Sequence, residues 1–567
     1  MHSNSDQVKY SNGIPMHKWL SIRYNKISRL MEIVNGGFFK NTSHGITCIS
    51  LTCHDASDEH SEIEAAKHSK GIIVIDDIRG IRILNDPFCS IPLYYTETAT
   101  NFYASSNPQE LIDYRSDPYD PVGVWETLLL QSPLWNRTPY KGVKFLPSAC
   151  ELKIANETKI CRYWNFEFES PSMAFNKKTY LSTLDDLINE KFCEIDADTL
   201  CMGLSGGNDS RLAAHYLALN KHRYSKIKLV TYAAHTNSYE FRYSCEVART
   251  LGLEAPHLHL LKDDHYCDAL NYLPQWSAGQ INNLHCHLAS YLKEVDAQAG
   301  REVHLSTYYT DAVFGYACGK PGILNEIEYS SAYQNIINAS YISSAIRAEI
   351  LDDLRLALNP SPCAEGYFSS LDELNYITER NPRFHISLAF IQHQFRQTAL
   401  PFADIDVLQM VMKAPISFRE SKGILTELLN HINPNLANIG SSANTEYFYG
   451  SKSRLRNGNL FERAKFGKFR LMNMTTQLLS KLSGGTLRIG NPFQTEDQVS
   501  LFRNSFSHVQ PAVLADGRLG ECLGGAAIER IFKDELILRN LGERFSLICF
   551  HHLSTAECSW NQPAIRT

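Results

Sequence analysis

Residues Thr199 to Leu219 constrain the fold of this chain more than any other stretch. The letters run T-L-C-M-G-L, then S-G-G-N-D-S, then R-L-A-A-H-Y-L-A-L. Leu200, Met202 and Leu204 are apolar and bounded by turn residues, as in a short buried strand. Gly206 and Gly207 permit positive φ and let a ligand come close to the backbone. A helix that follows leaves its first amide N–H groups unpaired and aimed back at the loop. Those amides, with the hydroxyls of Ser205 and Ser210, suit a phosphate or pyrophosphate. Asp209 conflicts with such a ligand, because a carboxylate repels phosphates. A bridging Mg²⁺ removes the conflict, since magnesium is commonly held by one or two carboxylates plus substrate phosphates.

The G-K-[ST] ending of a Walker A loop is missing. The loop instead resembles the S-G-G-x-D-S signature of the PP-loop ATP pyrophosphatases, which cleave ATP between the α and β phosphates. The plain alternative is a Ser/Gly turn with Asp209 and Ser210 capping a helix, which requires neither both glycines nor both serines.

With 567 residues, two or three domains are expected. Apolar content of 44% and charged content of 20% match a soluble globular protein. A net charge of −6 argues against a surface that coats nucleic acid. The 15 cysteines include no C-x-x-C pair, so neither a disulfide framework nor a zinc site is indicated. No apolar run reaches the length of a membrane span, and the start M-H-S-N-S-D-Q lacks the regions of a signal peptide. A cytoplasmic location is therefore expected.

From about Gly36 to Phe166 the chain reads as β-rich. Gly71–Asp76 and Ile81–Leu84 are apolar runs joined like a hairpin. N-D-P-F-C-S-I-P-L-Y-Y (Asn85–Tyr95), R-T-P-Y-K-G-V-K-F-L-P (Arg137–Pro147) and R-Y-W (Arg162–Trp164) follow. In this order, ahead of an S-G-G-x-D-S loop, these pieces resemble the asparagine synthetase family. There the patterns D-P-x-G-x-x-P-L-Y-Y, R-T-x-x-x-G-V-x-x-L-P and R-Y-W belong to a class II glutamine amidotransferase domain. The resemblance implies an α+β N-terminal-nucleophile-hydrolase-like sandwich. In members that hydrolyse glutamine, the residue after the initiator Met is Cys; here it is His2, and the first cysteine is Cys48. Imidazole cannot replace the thiol on an acyl-enzyme route. The domain is therefore expected not to release ammonia from glutamine, as in β-lactam synthetase and the lasso peptide cyclases.

Beyond an amphipathic stretch between Pro171 and Ala197, Lys226–Ala233 reads as the next parallel strand and Tyr239–Leu253 as a helix. This alternation implies a doubly wound parallel α/β sheet with ligands at the carboxyl ends of its strands. By resemblance, the ends of Met202–Leu204 and Val230–Ala234 flank adenine and ribose, placing Leu204 and Ala234 at the nucleotide. L-S-T-Y-Y-T-D-A-V-F-G-Y (Leu305–Tyr316) is similar to the S-G-E-G-x-D-E-L-F-G-G-Y stretch of the synthetases. That similarity puts Ser306 at the nucleotide and makes Asp311 the second Mg²⁺ carboxylate beside Asp209; the alternative for Asp311 is a solvated or capping residue. Tyr308 falls where the synthetases carry a catalytic glutamate and β-lactam synthetases a tyrosine. It is either the base for an incoming amine or a stacking residue. Ala312 replaces a family glutamate.

In the carboxyl-terminal half, Asp352–Ala399 reads as mostly helical, and Leu400–Val411 resembles the P-F-L-D element of the family, with Gln397 in place of its glutamate. Synthetases then place a lysine in an R-x-K segment, against the α-phosphate. The matching place falls near Ser442, where no lysine stands. Lys452 is the nearest candidate for that catalytic role and Lys422 another, although each reads more readily as a solvated surface lysine. His257, His259, His265, His285 and His287 have no third ligand of fitting spacing and read as core or surface residues.

The expectation is thus a degenerate amidotransferase-like domain over residues 1–168 and an asparagine-synthetase-like PP-loop domain with added helices over 172–560. ATP and Mg²⁺ are the implied cofactors. The implied substrates are a small-molecule, sugar or peptide carboxylate and an amine donor, with oligomeric state left open. Two other readings stand beside this ligase: a nucleotide-binding pseudoenzyme, and an amidotransferase fed by external ammonia. A tRNA-modifying PP-loop enzyme is disfavoured by the acidic charge and the lack of paired cysteines.

Overall fold

A computed structural model describes residues 19–35, 38–43, 46–50, 62–78, 80–112, 118–155, 157–168, 175–233, 236, 238–262, 265, 270, 277, 279, 291, 301–319, 326–358, 366–440, 502, 505–533 and 538–555. Statements about the structure concern these described residues.

The amino-terminal part contributes eleven short strands: β1 (Leu20–Asn25), β2 (Met31–Asn35), β3 (Phe39–Ser43), β4 (Ile46–Ser50), β5 (Gly71–Asp77), β6 (Gly80–Asn85), β7 (Tyr94–Glu97), β8 (Asn101–Ser105), β9 (Lys144–Phe145), β10 (Cys150–Ile154) and β11 (Thr158–Arg162). They pair antiparallel in two sheets, ordered β2-β1-β8-β7-β9 and β11-β10-β6-β5-β4-β3. The period of two in G-I-I-V-I-D-D explains the layering. Ile72 and Val74 enter the core that also holds Leu20, Ile22 and Phe102 of the other sheet. Ile73 and Ile75 turn to the opposite face and meet Ala65 and Ala66 of the helix Glu62–His68.

The turn after β6 is set by Asp86, whose carboxylate accepts the N–H groups of Phe88 (2.7 Å) and Ser90 (2.9 Å). Cys89 then takes φ 52°, at the place where the resembled pattern D-P-x-G carries glycine. Burial pushes its thiol up, out of reach of ionisation. Cys48 lies buried within β4, paired on both sides by β3 and β5.

The helix Lys177–Cys193 leads into a third sheet built of β12 (Thr199–Gly203), β13 (Lys226–Ala233), β14 (His257–Leu260), β15 (Glu302–Leu305) and β16 (Gln397–Ala399). Its order is β14-β13-β12-β15-β16, and every pair is parallel. Leu200, Cys201 and Met202 are fully buried, as in a strand covered on both faces. The helices Asn208–Leu219 and Tyr239–Thr250 carry the chain outward from β12 to β13 and β14. The chain then returns to the other side of β12 for β15 and β16. That reversal opens a crevice between the ends of β12 and β15, the position where ligands bind in open parallel sheets. The whole is a mixed α and β structure with several sheets.

The two antiparallel sheets meet the parallel-sheet part through the π-helical turn Tyr376–Arg380 and the helix Asn381–Phe395. The buried Glu379 carboxylate accepts the Trp135 N–H (3.1 Å) and the Arg162 guanidinium (3.4 Å). Nearby, Ser148 donates to the Thr378 carbonyl (2.9 Å) and Arg383 to the Arg137 carbonyl (2.9 Å). Glu379→Ala strands a guanidinium and an amide inside this contact and is expected to cost about 3–5 kcal/mol of unfolding free energy. Urea unfolding of the two proteins side by side checks this.

Candidate active site at the sheet crevice

Each residue of S-G-G-N-D-S has a distinct position. The hydroxyls of Ser205 and Ser210 lie 2.8 Å apart, and Ser210 also accepts the Ser205 N–H (3.1 Å). The Gly207 N–H donates to the Ser205 hydroxyl (3.1 Å). The Gly206 N–H donates to the carboxylate of Glu240, from the first turn of the helix Tyr239–Thr250. Gly207 is the N-cap of Asn208–Leu219 and offers no side-chain cap. The result is a small cup of amides and hydroxyls facing the crevice, with helix-dipole charge behind it.

Arg211, the residue after the motif, pins the cup from beneath. It is 1% exposed and donates to the carbonyls of Gly206 (3.2 Å), Leu436 (3.2 Å), Ile439 (2.9 Å) and Gly440 (2.7 Å). One guanidinium thus ties the loop to the helix Pro434–Ala437 and the turn after it.

The chemistry gathers at three charged side chains. Asp209 comes from the start of the helix Asn208–Leu219, Asp311 from the short helix Thr310–Val313 after β15, and Lys422 from a distant turn. The Lys422 ammonium lies 3.0 and 3.2 Å from the two Asp209 carboxylate oxygens and also contacts Asp311 Oδ1. The carboxyl groups of Asp209 and Asp311 thus share one ammonium, close enough for each charge to act on the other. The three side chains are 26%, 35% and 23% exposed, so water screens their charges only in part. Lys422 is therefore no solvated surface lysine.

Local backbone chemistry explains how Lys422 arrives there. Ser421 and Lys422 both take left-handed conformations, with φ of 53° and 60°. Two supports hold that turn. The Lys422 N–H donates to the Gly315 carbonyl (3.4 Å), and Gly315 itself has φ 83°. A Cβ on Gly315 would lie 2.5 Å from the Arg419 carbonyl oxygen, so the F-G pair of T-D-A-V-F-G-Y has to end in glycine. Behind it, the 1%-exposed Arg419 side chain pairs with buried Glu373 (2.8 Å) and donates to the Tyr367 carbonyl (2.7 Å). The motif that supplies Asp311 thus also seats the turn that supplies Lys422.

Two carboxylates with one ammonium leave a net negative charge. Burial and the neighbouring Asp311 charge push Asp209 up to about 6, against the pull of Lys422. Burial also opposes Asp311 ionisation, but Lys422 outweighs it and holds that carboxyl below its ordinary value. Burial alone lowers the Lys422 ammonium, and the two carboxylates more than restore it. The pair ionises once easily and a second time with difficulty. Two hard oxygen donors short of one positive charge suit a hard divalent cation that completes its shell with phosphate oxygens. Among the described residues no group of three or more His, Cys, Asp or Glu gathers as a metal site, and His257, His259 and His265 form none.

A small, open cleft lies beside this cluster. Leu204, Ser205, Ser210, Thr231, Tyr232, Ser306 and Tyr308 are among its lining, from the carboxyl ends of β12, β13 and β15 and the start of the helix Asn208–Leu219. Ser306 donates its N–H to the Ala399 carbonyl (3.0 Å), while its hydroxyl accepts the Tyr308 N–H (3.4 Å). Tyr308 stacks on His385, with ring centroids 5.9 Å apart. Burial pushes the Tyr308 phenol up, so it keeps its proton at neutral pH. The structure therefore brings Leu204, Ser205, Gly206, Gly207, Asp209, Ser210, Ser306, Tyr308 and Asp311 to one crevice. Ala234 and Lys452 lie outside the described residues.

Arg211, Glu240 and the Arg419–Glu373 pair carry no sequence pattern that marks them for the site. Arg211 follows the motif directly, but a lone arginine at a helix start carries no sign that it will be buried. No protein-family model matches the sequence, and no curated protein matches it.

Two outcomes follow from this geometry. An aspartate raised to about 6 stabilises the folded chain below the ordinary carboxyl range, and that contribution is lost as pH rises through 6. The increase in melting temperature on adding Mg²⁺ and ATP should therefore be larger at pH 7.5 than at pH 5, with Asp209→Asn flattening the difference. Thermal melts across that range read it. Separately, Gly315→Ala should destabilise the chain by about 1–3 kcal/mol and weaken any activity that uses Lys422, with urea unfolding as the check.

Proposed function

We propose that this chain is an ATP-dependent amide-bond synthetase of the asparagine synthetase type, forming AMP and pyrophosphate. The observation that carries the reading is the meeting of Asp209, Asp311 and Lys422 beside the S-G-G-N-D-S cup at the point where the parallel sheet reverses.

In this reading a substrate carboxylate oxygen attacks the α-phosphorus of ATP, the bond to the bridging oxygen of the β-phosphate breaks, and pyrophosphate leaves. An amine then attacks the acyl carbon, the bond to the AMP phosphate oxygen breaks so that AMP departs, and the amine's surplus proton passes to solvent water. The hydroxyls of Ser205 and Ser210 and the amides of Gly206 and Gly207 receive the pyrophosphate oxygens. The Gly206 N–H exchanges the Glu240 carboxylate for a phosphate oxygen on the way. Asp209 and Asp311 would hold magnesium, which supplies neutralising charge for the phosphates when bound. Lys422 places an ammonium where charge develops on the α-phosphate oxygens, the role for which Lys452 was the first candidate. Leu204 and Ser306 border the nucleoside side of the cleft. Tyr308 is a wall and hydrogen-bond donor in this scheme, because a phenol raised by burial is a poor base. The domain division at 168/172 and the amidotransferase-like ancestry of the first two sheets belong to the same proposal.

A second reading, a nucleotide-binding protein without turnover, is favoured by one observation. The Glu240 carboxylate already occupies a loop amide that a phosphate would need. Pyrophosphate release from Mg-ATP across a panel of carboxylic acids, with ammonium, glutamine and free amines as donors, separates the two. The synthetase reading expects release that depends on one acid and falls at least about 100-fold in Asp209→Ala. Lys422→Ala should lower kcat by about 100- to 1000-fold while leaving the KM for ATP within a few-fold. ATP binding with no pyrophosphate under any combination is the result expected of the second reading.

A further inference from the structure

Beside Lys422 the chain presents aromatic rings, among them Tyr316 and Tyr376, that the scheme above leaves unused. The Tyr316 ring is 60% exposed, yet it lies with the Lys422 ammonium 5.6 Å from its centroid. It abuts Tyr376, with centroids 5.3 Å apart and planes tilted by 34°. Tyr376 meets His385 edge to face at 6.1 Å, and His385 stacks on Tyr308 of the cleft wall. A run of aromatic rings thus leads from the nucleotide cleft to an exposed tyrosine at the outer edge of the charged cluster.

Charge sits at the far tyrosine as well. The Arg380 guanidinium lies 5.1 Å over the Tyr376 ring and 5.1 Å over Phe384, and it donates to the Gln131 side chain (2.6 Å). No described carboxylate pairs with it, whereas Lys422 is already claimed by two. Tyr376 and Arg380 open and close the π-helical turn, a distortion frequent at functional sites.

We infer that Tyr316, Tyr376 and Arg380 form the subsite for the acid that is activated, and that this acid carries a flat ring and a second anionic group. The ring lies on the exposed Tyr316 face, which the buried Tyr376 backs, its reacting carboxylate points to Lys422, and the other anionic group reaches Arg380. Short aliphatic acids such as succinate would leave the exposed tyrosine uncovered. The inference rests on the synthetase reading for the role of the acid, but binding can be measured apart from turnover.

The test titrates three probes into the full chain held with Mg²⁺ and a non-hydrolysable ATP analogue, followed by calorimetry. The probes are 4-carboxyphenylacetate (ring and two carboxylates), phenylacetate (ring and one) and succinate (two carboxylates, no ring). The subsite predicts that 4-carboxyphenylacetate binds at least about tenfold tighter than either of the others. Tyr316→Ala should weaken it about five- to tenfold with Tyr316→Phe restoring it, and Arg380→Gln should reduce its advantage over phenylacetate to near one. ATP-analogue affinity serves as the folding control in each variant. Succinate binding as tightly as the ring diacid, or ring-acid affinity unmoved by Tyr316→Ala and Arg380→Gln, overturns the inference. Ring-acid binding that follows these variants supports the subsite even where pyrophosphate release is absent, a pattern that would count against the synthetase reading alone.

Discussion

Two carboxylates that share one small site cannot both ionise cheaply unless a cation stands between them. In this chain the cation is the ammonium of Lys422, and much of the surrounding structure can be read as the means of bringing the three groups together. Asp209 is carried by the loop after β12 and Asp311 by the loop after β15, neighbours in the parallel sheet but about a hundred residues apart in sequence. Lys422 comes from farther still, on a turn whose backbone is left-handed at two successive residues. Such a turn persists only when its surroundings over-determine it. Gly315 and the buried Arg419–Glu373 pair supply that determination.

A cluster built this way is poised. With one negative charge in excess, it holds a proton or a cation more readily than a lone aspartate would, and it faces a cup of hydroxyls and amides that favours anions. Positive and negative preferences side by side are what a metal-bound polyphosphate satisfies together. Glu240 fits the same logic, as an anion already in contact with a loop amide. Arg211 contributes differently: its four carbonyl contacts fix the floor of the cup to the carboxyl-terminal helices, so the loop geometry depends on residues more than two hundred positions away.

The legible parts of this architecture are those written in local patterns. The strand–loop–helix at Thr199–Leu219, the strand Lys226–Ala233, the helix beginning at Tyr239 and the hairpin of Gly71–Asp77 with Gly80–Asn85 follow from periodicity and turn chemistry. Asp209 and Asp311 stood out because each is an acid in a loop-and-helix motif. Lys422 reads in the sequence as only one of two candidate lysines, since its partners are 213 and 111 positions away and its turn contains no glycine at the left-handed residues. A lysine in E-S-K-G has the look of surface, and only the fold reveals the two carboxylates it meets. The same holds for Arg419 and Glu373, whose burial comes from long-range packing rather than from any periodic signal.

The most direct test of the central claim is exchange of labelled pyrophosphate into ATP, since it reports reversible cleavage between the α and β phosphates. The account predicts exchange that requires Mg²⁺ and a carboxylic acid and that is lost in Asp209→Ala and Lys422→Ala. Release of ADP and phosphate in place of exchange, or exchange that survives the loss of Lys422, would contradict it.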